Sequence, residues 1–234
     1  MRDKTRLVKE ASDSLLEQLT VATGRPQHRF KLAVETGAVD SVVVAKAQAL
    51  KCDLIVVPGG TSWTRILRHA HCPVLIVRGR RRGGVLAATD LSDPSLPALD
   101  AARLEAETDH QPLTAMTSLN FAEITPLGPG GELGAYVYSQ EQVTDMTKAV
   151  HDHLEHAMQS VKAKGEMIIE FGPPTEAILR TAQKLNSNLI VMGSRGRNLL
   201  PRLLLGSVAE AVAHDAKCSV LVVRLTNGRK SEAA

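Results

Sequence analysis

Aromatic residues are scarce in this 234-residue chain, 3% of the total as three Phe, two Tyr and one Trp. That excludes a surface that stacks nucleic-acid bases on rows of rings. Cysteine is scarce too. Cys52, Cys72 and Cys218 stand at long spacings that form neither a metal-ligand pattern nor an even disulfide framework, which suits small thiols in a reducing compartment. No run of 18 apolar residues occurs, and the opening MRDKTRLVKEASDSLL is charged and amphipathic rather than a secretory leader. The expected location is the cytoplasm, with no membrane partner. An excess of one charge is also missing. The formal net charge is +3, and the basic residues are dispersed apart from RGRRRGG at 78–84, so no dedicated nucleic-acid surface is implied.

What the chain does have is 44% hydrophobic content, enough for one large core or two modest ones, and an internal repeat. VETGAVDSVVVAKAQALKCDLIVVPGG at 34–60 and IEFGPPTEAILRTAQKLNSNLIVMGS at 169–194 share a strand end, a glycine, a helix and a second strand. Gly37 and Gly172, and likewise Leu54 and Leu189, are 135 positions apart. Further on, HCPVLIVR at 71–78 matches KCSVLVVR at 217–224, and Cys72 and Cys218 are 146 apart. The second copy therefore carries eleven extra residues, 195–205, between counterparts of Gly59 and Gly60.

Short continuous apolar runs, DLIVV, PVLIV, GVLAAT, EMIIEF, NLIVMG and SVLVV, read as strands buried on both faces. Helical spacing occupies 4–22, 38–50, 95–107, 141–164, 175–185 and 207–215. Strand and helix alternate, which predicts a parallel, doubly wound α/β sheet. The expected organisation is an incomplete domain at 1–78 that opens with helix 4–22, a basic solvated linker at 79–83, a complete domain at 84–225 and a tail at 226–234. TPLGPGGELG at 125–134 reads as a loop inside the second half.

The eleven-residue insertion has a chemical reading. A strand ending at Met192 is followed by Gly193 and Gly196, which let backbone approach a ligand closely and tolerate positive φ. Gly206 and Ser207 then open a helix whose free N–H groups and positive dipole end face the same crevice, so an anion belongs there, most plausibly phosphate. Ligands of open α/β sheets sit at the carboxyl ends of strands. There GVLAATDLSDPS offers Asp90, whose carboxylate can accept hydrogen bonds from a ribose or an adenine amino group. Phosphate at one end and a carboxylate at the other describe a nucleotide.

Gly193-x2-Gly196-x9-Gly206-Ser207 resembles the G-x2-G-x9-G-[ST] signature of the nucleotide-binding branch of the universal stress protein (UspA) family. GVLAATDLSDPSLPALDAA is similar to that family's first strand and helix, and FGPPTEAILRTAQ to its entry into the signature strand. The likeness spans about 84–225, and 31–78 resembles the C-terminal part of a second such domain. The resemblance implies a Rossmann-like sheet of five parallel strands in the order 3-2-1-4-5, akin to adenine nucleotide α-hydrolases, repeated in tandem with the first copy degenerate. It implies ATP as the ligand, with magnesium through the phosphates. It also implies roles for Asp90 by the nucleoside, Ser118 near adenine, and Gly193, Arg195, Gly196, Gly206, Ser207 and Val208 around ribose and phosphates. The first copy lacks the first strand, its Asp, the second strand and the long loop. The segment around RFKLAV consequently needs an unusual neighbour or a partner chain.

Other constellations read more plainly. HDHLEH places His153 and His156, and Asp152 and His156, one helical turn apart, where they read as the polar face of a solvated helix rather than as metal ligands. His69, His71 and His214 stand near helix ends, where a cation suits the dipole. Asp90, Ser92 and Asp93 lack a G-x-S-x-G elbow, so they are not read as a hydrolytic triad. The function expected is regulation of the stress response through nucleotide occupancy, with at most slow hydrolysis and no catalytic residue. Two alternatives stay open, an adenylating or ATP-hydrolysing enzyme and a scaffold with an empty pocket. The terminal runs PVLIV and SVLVV are expected to pair antiparallel within the chain as a pseudo-dimer, with homodimerisation as a further option.

Overall fold

The computed structural model describes residues 2–24, 31–60, 63–79, 81–121, 138–195 and 205–224. Gly196 and the rest of the loop to 204, the loop at 125–134, Arg80 and the tail lie outside the described residues.

Helix α1 (Arg2–Thr23) is followed by α2 (Val39–Ala49), β1 (Ile55–Pro58), α3 (Trp63–His69) and β2 (Val74–Val77). The second half runs β3 (Val85–Ala88), a 3-10 turn Asp93–Ser95, α4 (Leu96–Thr108), β4 (Leu113–Leu119), α5 (Gln140–Ser160), β5 (Glu166–Phe171), α6 (Pro174–Lys184), β6 (Leu189–Gly193), α7 (Ser207–Asp215) and β7 (Ser219–Val223). The starts follow from local chemistry. Ser139 and Gln142 form a capping box at α5, each side chain bonded to the other's backbone N–H, and Pro174 opens α6 where its missing N–H costs nothing.

The strands join in one sheet in the order β1-β2-β7-β6-β3-β4-β5. The second half alone is thus 3-2-1-4-5, five parallel strands, with β3 central. β2 joins β7 antiparallel, Val74 facing Val222, Leu75 facing Leu221 and Ile76 facing Val220. Helices cover both faces. α2, α3, α6 and α7 bury Leu67, Ile66, Ile178 and Val212 with Val74, Ile190 and Val220 on one side, while α4 and α5 bury Leu99, Ala102 and Leu154 with Val85 and Val191 on the other. A strand sandwiched in this way must be apolar at every position, which is why VLAA of β3 is buried throughout. β1, at the sheet's end, alternates buried Ile55 and Val57 with exposed Val56 and Pro58.

One expectation changes. Residues 31–36 form no strand, although their counterpart in the second half is β5. A strand needs a ladder partner, and β1 has only β2 beside it. Gly37 nonetheless keeps φ +149°, like Gly172 at +110°, so the turn into the following helix survives without its strand. The basic linker makes contacts that its composition does not announce, while Gly79 and Arg82 are exposed. Arg78 donates to the carbonyls of Ala213 and Cys218, and Arg81 donates to the Lys217 carbonyl and the Asn186 side chain. A Cβ on Gly83 would stand 2.3 Å from the Asn186 carbonyl oxygen, and one on Gly84 would stand 2.0 Å from that of Pro112. Gly83 and Gly84 are thus closely packed, and Arg78 and Arg81 are spent on helix and strand ends.

Candidate functional site

Three neighbouring strands end together. Ala88 of β3 is level with Met116 of β4 and with Met192 of β6. Counting on, Asp90, Ser118 and Ser194 fall side by side at the carboxyl edge of the sheet. This is where an α/β crevice forms.

Asp90 is held by its own turn. Its Oδ1 accepts from the Ser92 N–H at 3.1 Å and the Ser92 hydroxyl at 2.6 Å. Beneath it the Thr89 and Ser95 hydroxyls are 2.7 Å apart, Thr89 Oγ1 accepts from the Leu91 N–H at 3.0 Å, and Ser95 Oγ donates to the Ser92 carbonyl at 2.7 Å. Leu91 adopts φ +64°, a left-handed backbone that a bulky side chain enters only when its surroundings hold it there. The cluster fixes the carboxylate before any ligand arrives. Thr89, Ser92 and Ser95 carry no motif that would have marked them in the sequence.

Across the crevice, Ser194 ties the end of β6 to the start of α7. Its N–H donates to the Val223 carbonyl at 2.8 Å, and its carbonyl accepts from the Gly206 N–H at 2.8 Å. Gly206 is the N-cap of α7, and among the described residues no side chain caps that helix. Among the described residues the first-turn amides of Ser207 and Val208 have no side-chain acceptor, and the helix dipole at this end favours an anion. Ser207 is exposed, while Arg195, Gly206 and Val208 are half-buried.

Gly193 is set by close approach and not by φ. Gly193 is absent from the positive-φ residues, and a Cβ there would stand 3.3 Å from the Arg195 carbonyl oxygen. Gly206 has φ −67° and ψ 142°, which any residue can adopt. The tolerance of positive φ expected at Gly193 is therefore not used there, and a steric reason takes its place. Gly196 lies outside the described residues, and Ser118 is half-buried on β4, level with Glu170 of β5.

Two neighbouring features have other business. A cavity of about 440 Å³ opens at the amino end of β4, lined by Arg103, His110, Lys162 and Lys164 among others, the far end of the strand from Asp90. Its Arg103 is committed to Asp100 and Glu107, each at 2.7 Å. On α5 the ligand-type groups that converge are His151, Asp152 and Glu155, all exposed, rather than the pairs His153/His156 and Asp152/His156.

Parallel strands in the order 3-2-1-4-5, a carboxylate at the end of the central one, and a glycine-flanked loop feeding an uncapped helix define a Rossmann-like α/β protein. The model of the universal stress protein family matches residues 83–224, and the chain belongs to that family, whose role lies in the stress response. It is 34% identical over 148 residues to the universal stress protein YxiE of Bacillus subtilis (strain 168), a match covering 60% of this chain and 97% of that one. With the universal stress protein MJ0531 of Methanocaldococcus jannaschii it shares 48% identity over 64 residues, 27% of this chain and 36% of the relative. Among solved structures, the hypothetical protein MJ0577 superposes with a TM-score of 0.51 at 26% identity, over 62% of this chain and 98% of that chain. PA1789 of Pseudomonas aeruginosa PAO1 shares the fold over 93% of this chain and 78% of its own, with a TM-score of 0.63 at 21% identity. Among the described residues no helix is long and apolar enough to cross a membrane.

Proposed function

We propose that the crevice at the carboxyl edge of β3 and β6 binds ATP, and that occupancy, rather than turnover, is the protein's output in the stress response. The observation that carries this reading is the uncapped start of α7, tied through Ser194 to the end of the strand next to the one that bears Asp90. Phosphates would take the amides of α7 and the cation of Arg195, with magnesium neutralising the remaining charge. Ribose hydroxyls or the adenine amino group would donate to Asp90, and Ser118 would stand on the nucleoside side. Hydrolysis would be slow, because among the described residues no side chain at the phosphate end is placed as a general base. The two halves would act as a pseudo-dimer joined along β2 and β7, and the three free thiols fit work in the cytoplasm.

Native mass spectrometry of freshly purified protein is the direct test. A retained or titratable adenine nucleotide supports the reading. Protein that stays at its apo mass in millimolar ATP rejects it.

A further inference from the structure

Two arginines of this chain mirror one another. Arg78 follows β2 and Arg224 follows β7, 146 positions apart, and their acceptors Leu67 and Ala213 are also 146 apart. Arg224 donates to the Leu67 carbonyl on α3, and Arg78 donates to the Ala213 carbonyl on α7. Each arginine thus leaves the end of its own half's last strand and grips the other half's last helix. The contact continues along the two helices. Arg68 of α3 pairs with Glu210 of α7 at 2.7 Å, and the Trp63 ring centroid lies 6.3 Å from that of His214.

The two arginines differ in their surroundings. Val223 pairs with Gly193, and the Ser194 N–H donates to the Val223 carbonyl, so Arg224 emerges beside Ser194 and Arg195 at the crevice. Burial, and then the charge of Arg195, press the Arg224 pKa below its ordinary value. Its Nε is buried without a hydrogen-bond partner among the described residues, and only one arm of the fork is spent on Leu67. A buried, unmatched donor next to a like charge is costly, and an anion removes both costs at once.

We propose that Arg224 is an anion-contacting residue of the crevice and also its link to the first half: polyphosphate held at the start of α7 engages this guanidinium, and the bond to Leu67 carries occupancy to α3. The proposal rests on the nucleotide reading of the crevice. It predicts a built-in reporter. Trp63 is the sole tryptophan, it is 6% exposed on α3, and its neighbour His214 lies on α7.

The experiment titrates the full chain with magnesium ATP and, separately, with inorganic tripolyphosphate, following heat and Trp63 emission together. Wild-type protein should bind both and shift its emission in step with binding. Arg224→Met should weaken binding roughly tenfold or more, the usual loss for a hydrogen bond to a charged group, and abolish the shift. Arg78→Met removes the mirror grip away from this crevice and should keep both. Equal loss in the two variants makes the arginines structural only and overturns the proposal. Saturable binding with unchanged Trp63 emission also overturns it while leaving the crevice reading intact, and this arm decides alone should Arg224→Met fail to fold. Wild-type protein that binds neither probe removes the crevice reading and the proposal with it.

Discussion

Ile76 of β2 faces Val220 of β7 across the antiparallel seam, and both are fully buried. The seam is therefore hydrophobic core, and its surface ion pair is secondary. Ile76→Ala should cost ~2–5 kcal/mol of stability, by loss of burial plus a cavity. Arg68→Ala, which breaks an exposed pair with Glu210, should cost no more than ~1 kcal/mol and less in high salt. Urea unfolding of the two variants checks the ranking; equal costs would mean that the seam is held by charge.

Asp90 gives a prediction that separates fold from binding. Its Oδ1 accepts two bonds from Ser92, and an asparagine Oδ1 can accept the same two. Asp90→Asn should leave stability within ~0.5 kcal/mol of wild type, because it keeps the turn that Oδ1 makes with Ser92. The variant loses the charge and gains donors where the nucleoside donates, so ATP affinity should fall. Asp90→Ala should lose the turn as well, at ~1–2 kcal/mol. Calorimetry and thermal unfolding on the pair decide; an Asp90→Asn protein that binds ATP as wild type does would remove Asp90 from the site.

Much of this was legible in the sequence, for a physical reason. Strands covered on both faces must be apolar throughout, so SVLVV and NLIVMG announce themselves, and the repeat of Cys72 at Cys218 marks the two strands that pair. The failures are equally physical. Residues 31–36 resemble a strand's end, but a ladder requires a neighbour that local sequence does not supply. The contacts of Arg78 and Arg81 were hidden because their acceptors, the carbonyls of Ala213, Lys217 and Cys218, lie about 135–140 positions away and are backbone groups without a residue code. In the candidate site, Asp90 and the glycine spacing stand out in the sequence, whereas the hydroxyls that hold Asp90 have no periodic signature.

Glu170 supplies the pH prediction. Hydrogen bonds from Arg180 at 2.8 Å and then Lys184 at 3.1 Å hold its carboxyl below the ordinary value of 4.5. A depressed folded-state pKa stabilises the fold above the unfolded value, and that contribution is lost as pH falls through the folded one. Glu170→Gln should therefore be less stable than wild type at pH 7, and the difference should vanish on acidification below 4.5. Urea midpoints measured from pH 7 downward check the sign; a difference that persists unchanged at the acid end would assign the effect to packing.

The number of nucleotides per chain follows from what each half places at its carboxyl edge. In the second half, β3 stands between β4 and β6, so Asp90 past one strand and Ser194, tied to Gly206, past its neighbour share one carboxyl edge. The first half has β1 in the place of β6, with Gly59 and Gly60 after it, while Thr61 lies outside the described residues. β1 ends the sheet, so among the described residues no strand takes the position of β3 beside it and no strand-end carboxylate faces its glycines. The space near Gly59 is also filled, since a Cβ there would stand 3.0 Å from Arg78 Cγ. A helix start without a nucleoside pocket could attract a lone anion weakly, but it has no partner for a ribose or a base. Inserting residues 195–205 between Gly59 and Gly60 should therefore create no second site, because the loop is only half of the pocket. Equilibrium dialysis should give one ATP per wild-type chain and one per grafted chain, and Gly206→Val should bring both to zero by filling the approach to the phosphates. Two per wild-type chain, or one that survives Gly206→Val, would place the pocket in the wrong half.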